Sequence, residues 1–326
     1  MPPATITDVA RAAGVSPSTV SRALNGGRAS AATIDQVNRA AASLKYRPSY
    51  IGRVLSAGRT DSVAAVVASL RRSALIEALG GLHAEAARQG LSVTLVEPSG
   101  GQGRDDAAFL RRDRDRFDGI VLLGRTVAES EREIGGEKLI AIGSYGKDET
   151  VGTLDPTATA AEHLRRLGHR SVHYIGVAHA DPERTDYDGS RETSFFRSCS
   201  DSFVAATSSG TAPTVEGGFS ATVTAVTGSS ARPSALIAGT AEIAIGSATA
   251  LRQLGLHVPG DIALIGIEDH PLAALLGVTT IDVGSEARGR RIACDVAKTL
   301  HPEAVDMSAV PPVSAPRVSL RLRSSC

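Results

Sequence analysis

The sequence predicts a chain of two structural classes: an all-α head over residues 1–47 and an α/β body with parallel sheets over residues 61–326, joined by a hinge helix or linker over 48–60. Three observations predict it. In the head, apolar residues recur in steps of three and four between capping residues. From Asp61 onward, β-type apolar runs alternate with helical runs, the pattern of parallel strands joined by right-handed crossovers. Charge divides at the same boundary: residues 1–60 hold eight Arg and Lys against two acids, a net of +6, whereas the remainder holds 27 against 33, a net of −6.

The head reads as three helices. Thr5 is an N-cap with Asp8 three positions on, a capping box with Asp in place of Glu, and Ile6, Val9, Ala10 and Ala13 follow on one face. Gly14 ends that helix, because glycine takes positive φ without steric cost. Ser16 caps a second helix, Pro17 occupies its first turn, and Val20, Ala23 and Leu24 supply an apolar face. Ser30 caps a third, with Ile34, Val37, Ala41 and Leu44 inward. Pro48 and Gly58 bracket a short hinge helix carrying Ile51, Arg53, Val54 and Leu55, too brief to be stable alone in water.

A cationic head on an anionic body is suited to a polyanion. Two helices joined by a short turn can set the second in a DNA major groove while the first braces the backbone, a helix-turn-helix. Ser16, Ser18, Thr19, Ser21, Arg22 and Asn25 gather on the early turns and outer face of that second helix. Arg22 suits the O6/N7 edge of guanine, and the hydroxyls suit phosphates or base edges. Pro17 fixes the helix start and offers at most apolar contact.

The body's strands are expected at 63–67, 92–96, 119–123, 138–142, 172–176, 235–239 and 262–267, and its helices include 74–88, 158–167, 241–254 and 285–300. This length fits two lobes around a ligand crevice: an N-lobe of about 61–156 plus 285–300, and a C-lobe of about 157–284 plus the C-terminal segment. No run of ~18 apolar residues marks a membrane span, and no charged-then-apolar leader opens the chain. Cys199, Cys294 and Cys326 follow no metal or disulfide spacing, so a reducing cytoplasm is expected. His169, His173 and His179 lack a carboxylate partner and carry no metal reading. GGQGRDD at 100–106 lacks the Lys-Ser/Thr of a phosphate loop. Glu268-Asp269-His270 resembles a catalytic cluster in composition alone, and no Gly-x-Ser-x-Gly elbow is present. Neither enzyme nor cofactor is expected.

TITDVARAAGVSPSTVSRALNGG, followed by YRPSYIGRVLSAGRT, resembles the DNA-binding headpiece and hinge of the lactose/galactose-repressor (LacI/GalR) family of bacterial transcriptional regulators. The body resembles that family's periplasmic-binding-protein-like domain more loosely, through AAEHLRRLGHRSVHYIG, RETSFFRS and ALRQLGLHVPGDIALIGIEDHP. The resemblance implies a homodimeric regulator, a repressor, on double-stranded operator DNA, controlled by a small molecule between the lobes. The DNA-contacting set it implies is Thr5, Ser16, Pro17, Ser18, Thr19, Ser21, Arg22, Asn25, Arg28, Ser30, Thr33, Tyr46, Ser49, Arg53 and Leu55. In the family the leucine matching Leu55 wedges into the minor groove, as apolar side chains do at kinked steps. Gly52 and Ser49 replace the Ala and Asn common there.

For the effector, the resemblance implies Arg191, from an Arg-x-x-Gly-Phe motif in which Ser194 replaces Gly and Phe195 is kept. It also implies Asp155 at the lobe crossover, with Pro156 in place of an Asn partner, and Glu268 from a near-terminal Asp-Asp. Gly239-Thr240-Ala241 lacks the usual Asn-Asp. Arg71-Arg72-Ser73 replaces an aromatic loop, and the chain has no Trp. A sugar stays open as effector. Arg71, Arg72 and Arg191 together suit an anionic or phosphorylated metabolite. Two alternatives also stand: a repressor with a degenerate pocket that acts without ligand, and a small-molecule-binding α/β protein whose N-terminal helices only dimerise.

Overall fold

The computed structural model describes residues 4–24, 29–46, 52, 54, 58–97, 106–124, 133–143, 155–178, 187–199, 203–228, 232–302 and 318–326. The chain divides into two compact units, Met1–Asp61 and Ser62–Cys326.

In the first unit, α1 (Ile6–Ala12), α2 (Pro17–Leu24) and α3 (Ala31–Ser43) close one miniature core. Val9, Val20 and Val37 are wholly buried in it, one from each helix, and Ala10, Ala13, Ala23, Ala40 and Ala41 fill between them. The small residues allow close approach in a unit too small for a thick core. The Thr5–Asp8 capping box is complete, and Gly14 turns at φ +60°. Gln36 Nε2 donates to Ala13 O at 2.9 Å, tying the α1–α2 turn to α3. Leu44, expected inward, instead caps the end of α3 and is 37% exposed, because the helix stops one residue short of it and Ala40 takes the inner position. Of the hinge, Gly58 at φ +67° donates its N–H to Val54 O at 2.9 Å. Ser49, Arg53 and Leu55 lie outside the described residues, as do Asn25 and Arg28.

Among the described residues, the second unit holds two sheets. β1 (Ser62–Val67), β2 (Ser92–Val96), β3 (Gly119–Leu123) and β4 (Leu139–Gly143) form a parallel sheet ordered β2-β1-β3-β4. β1 and β3 are buried along their whole length, as central strands covered on both faces must be. α4 (Ser73–Arg88) and α5 (Asp106–Asp113) belong to this lobe.

The chain then crosses at α6 (Pro156–Arg166), which leads into β5 (Ser171–Val177), α7 (Tyr187–Cys199), β6 (Ala205–Thr211), α8 (Val215–Thr227), β7 (Ala235–Ala238), α9 (Ala241–Gln253), β8 (Ala263–Ile267), α10 (Pro271–Leu275) and β9 (Thr279–Asp282). α11 (Ser285–Leu300) returns to pack on α4, and β10 (Ser319–Arg321) closes the second sheet, ordered β10-β9-β8-β7-β5-β6. β10 alone in that sheet runs antiparallel to its neighbour.

Three strands escape the pattern of apolar runs. β6 reads AATSSGT on the sheet edge, β9 reads TTID, and β10 reads SLR. Their pairing comes from the ladder and from Thr and Ser side chains, which carry no hydropathic signal.

The α4–α11 contact is backbone against backbone. A Cβ on Gly289 would overlap the carbonyl oxygen of Ala78, and one on Gly81 would overlap that of Glu286. Glycine at both positions is therefore a packing requirement. This seam anchors the returning helix to the first lobe.

Candidate functional site

On the head, α2 presents a polar outer face. Ser16, Pro17, Ser18 and Arg22 are exposed, and Thr19 and Ser21 are half-buried. Ser16 Oγ accepts the Thr19 N–H at 3.1 Å, which makes it the helix cap, and it shares hydrogen bonds of 2.8 Å with the Ser18 and Thr19 hydroxyls. Arg22 lies back along the helix, with Nε donating to Ser18 O and Nη2 to Thr19 Oγ1, both at 3.4 Å. These are long, weak bonds on a solvent face, so the guanidinium gives up little to take another acceptor.

Thr5 is exposed and engaged as the cap of α1, where Asp8, its carboxyl held below the usual range by the Thr5 hydroxyl, completes the box. Ser30 and Thr33 form the equivalent start of α3, with the Thr33 N–H donating to Ser30 Oγ at 3.2 Å. Tyr46 is half-buried and packs against the head's core.

In the body, the carboxyl ends of strands carry the candidate effector residues, the place where parallel α/β sheets bind ligands. Arg72 follows β1 at the start of α4, Arg191 lies on α7, and Glu268 follows β8. All three are buried, at 4%, 3% and 1% exposure. Arg72 Nη2 and Arg191 Nη2 both donate to Glu268 Oε1, at 3.0 and 3.2 Å, and Arg191 Nη1 donates to Gly239 O. Burial pulls the Arg191 guanidinium down while Glu268 opposes that shift. Glu268 sits at φ +76°, a left-handed backbone that costs a non-glycine residue of order 1–3 kcal/mol. At that backbone angle its N–H donates to Ile281 O at 2.9 Å while its carboxylate meets the two guanidiniums.

Asp155 is set differently from the triad. It caps α6 through Oδ1, accepting Thr157 N–H at 2.8 Å and Ala158 N–H at 3.1 Å, and its Oδ2 accepts the Ser194 hydroxyl. The hydroxyl that replaces glycine in the Arg191 motif thus engages the second carboxylate oxygen. Phe195 is wholly buried, stacked on Tyr174 with ring centroids 5.4 Å apart, and shapes the core beneath Arg191. Arg71 is exposed and stands outside the buried triad, so the three-arginine cluster divides into two buried members and one on the surface.

Sequence reasoning missed Glu242. Its Oε1 accepts both the N–H and the hydroxyl of Ser73, at 2.8 and 2.7 Å, linking the first turn of α9 to that of α4. The available signal was an acid two residues after the Thr240 cap, which resembles ordinary helix-start chemistry. Asp269 serves the C-terminus, accepting Arg323 Nη2 at 2.8 Å and the Thr280 hydroxyl at 2.7 Å.

Among the histidines, His173 shares hydrogen bonds with the hydroxyls of Thr207 and Ser209, and His169 with that of Ser234. His179 lies outside the described residues, as does most of the 100–106 run. Burial pushes the Cys199 thiol up to about 11 and raises those of Cys294 and Cys326, which makes them poor nucleophiles.

Glu77, exposed on α4, is raised to about 6 by desolvation and then by Asp282, Glu268, Asp269 and Glu286. A carboxyl raised above its unfolded value of 4.5 favours folding at low pH, and that contribution is lost as pH rises through about 6. Glu77→Gln is therefore expected to stabilise the protein at pH 8 by no more than about 1 kcal/mol, solvent screening the exposed group. Urea unfolding at pH 5 and pH 8 checks this: the difference between variant and wild type should shrink at pH 5.

Residues 5–49 match the lacI family of bacterial regulatory proteins, and residues 161–326 match a periplasmic binding protein-like domain. The chain is 25% identical over 281 residues to catabolite control protein A of Staphylococcus xylosus, covering 83% of this chain and 84% of that one. It is 28% identical over 310 residues to the ribose operon repressor of Escherichia coli K12, covering 90% and 92%. A crystal structure of the lac repressor dimer bound to operator and the anti-inducer ONPF shares the fold with a TM-score of 0.78 at 21% identity, over 99% of both chains. Among the described residues, no helix is long and apolar enough to cross a membrane.

Proposed function

Because the chain belongs to the lacI family of bacterial regulatory proteins, and is a transcriptional regulator of repressor type rather than an enzyme, we propose that it binds a pseudo-palindromic operator as a homodimer. The reading places α2 of each copy in a major groove and a small-molecule effector in the crevice at the carboxyl ends of the body's strands. The observation that carries it is the outer face of α2. Four exposed residues, Ser16, Pro17, Ser18 and Arg22, stand on a helix whose opposite side is locked by Val20 and Ala23. Two-fold symmetry of the protein calls for two-fold symmetry in the site.

Control follows from a population shift. An effector that prefers one arrangement of the two lobes biases the hinge and hence operator affinity, by as much as its differential affinity for the two states. Arg191, Glu268 and Arg72 are the residues best placed for that role, with Asp155 and Arg71 at the margin.

Arg22→Ala tests the base-reading role. The expected loss is about 1–3 kcal/mol of operator affinity with relaxed preference at one base pair, and a salt dependence nearly that of wild type. Fluorescence anisotropy on operator and on single-substituted operators reads it. A uniform loss across all sequences with a shallower salt slope would reassign Arg22 to a phosphate. The same measurement on wild type should show affinity falling steeply with salt, as the +6 head displaces counterions.

A further inference from the structure

Among the described residues, two polar side-chain links join the first lobe to the second at the crevice, and both come from the turn that follows β1. Arg72 reaches Glu268 at 3.0 Å, and Ser73 gives its N–H and hydroxyl to Glu242. Glu268 also meets Arg191 from its own lobe. One carboxylate thus lies between two buried guanidiniums, one from each lobe, on a backbone held at φ +76°. We propose that Glu268 is a tethered anion that draws the two lobes together without any effector, by occupying the position between Arg72 and Arg191.

This rests on the reading of the crevice as the effector site and names its regulation. The chemistry favours it for three reasons. A buried guanidinium pair requires an anion, because desolvated like charges otherwise repel. The anion present is supplied by the chain. The Ser73–Glu242 link holds the same turn in the same place by a neutral donor to a carboxylate, so the closing contact is a two-point clasp. An effector that acts here must then replace Glu268 between the arginines or pull the turn off the clasp. In either case it works against a state that is already joined.

The test measures the distance between spin labels on exposed cysteines, one in each lobe, in full-length ligand-free protein whose native cysteines are replaced by serine or alanine. Arg72→Gln is the first variant, because it leaves Glu268 paired with Arg191 and creates no orphan charge. Ser73→Ala combined with Glu242→Gln is the second. Wild type is expected to give one short distance, and each variant a longer or broadened one. Adding Arg72→Gln to Glu268→Gly should open the lobes no further than either alone, since both break one link.

Glycine suits the positive φ at 268, and acetate is the probe that restores what it removes. Acetate at the ionic strength of a chloride control should return the short distance in Glu268→Gly, whereas chloride should not. Unchanged distances in Arg72→Gln and in the Ser73 and Glu242 double variant would overturn the clasp. Failure of acetate to act where chloride also fails would overturn the tethered-anion role. Operator binding measured on the same wild-type sample separates the two levels: loss of that binding defeats the regulator reading, while retained binding with unmoved labels defeats only the clasp.

Discussion

Glu268→Leu is expected to lower the unfolding free energy by about 3–5 kcal/mol, the cost of removing one partner from a buried charged cluster. Glu268 is 1% exposed and accepts from two guanidiniums that are themselves 4% and 3% exposed. Leucine would leave Arg72 and Arg191 facing each other without the carboxylate, and would keep the strained φ of +76°. Replacing all three by apolar residues of similar volume should cost far less, because the desolvation of three charges is then avoided. Urea unfolding of the two variants checks the comparison. A single variant no worse than the triple one would show that the cluster is not what holds Glu268 in place.

Gly289→Val carries the other large effect. Its Cβ would overlap Ala78 O and press on Leu82 N, so α11 must move off α4. Overpacking costs typically 1–3 kcal/mol and occasionally more, and rigid backbone atoms on the other side put this site at the upper end. The expected result is about 3 kcal/mol lost, read as a fall in the midpoint of thermal unfolding. Gly90→Ala is a control in which a Cβ meets nothing within 4 Å, leaving only the strain of φ +76°. A loss in Gly289→Val no greater than that in Gly90→Ala would show that α11 can move off α4 at little cost, against the helix seam as a packing requirement.

The two sites differ in how far the sequence disclosed them. Arg191 and Glu268 stood out through their motifs, yet their joining through a third residue from the other lobe did not, because the chain separates Arg72 from Glu268 by 196 positions. Local patterns report spacing along one element, and an ion triad is a tertiary event. Arg71 shows the converse: two adjacent arginines look alike in sequence, and the start of α4 sends one inward and leaves the other in solvent.

The head was legible almost in full, since caps at Thr5, Ser16 and Ser30 and a turn glycine at Gly14 are local chemistry. Leu44 was misplaced by one turn end, where spacing alone does not say whether the helix continues. β6, β9 and β10 were missed for want of an apolar run, and β10 gains its place by pairing Leu320 with Ile281 across the sheet.

Whether the head reads a symmetric DNA site as a dimer is decided by selection. Full-length protein is incubated with randomised and genomic DNA fragments at moderate salt, and the retained DNA is sequenced, with and without metabolite extract. The expected result is enrichment of one two-fold symmetric sequence with a deformable pyrimidine–purine step at its centre, lost when Arg22 and Ser18 are replaced by alanine. Retention of no preferred sequence under either condition would contradict it.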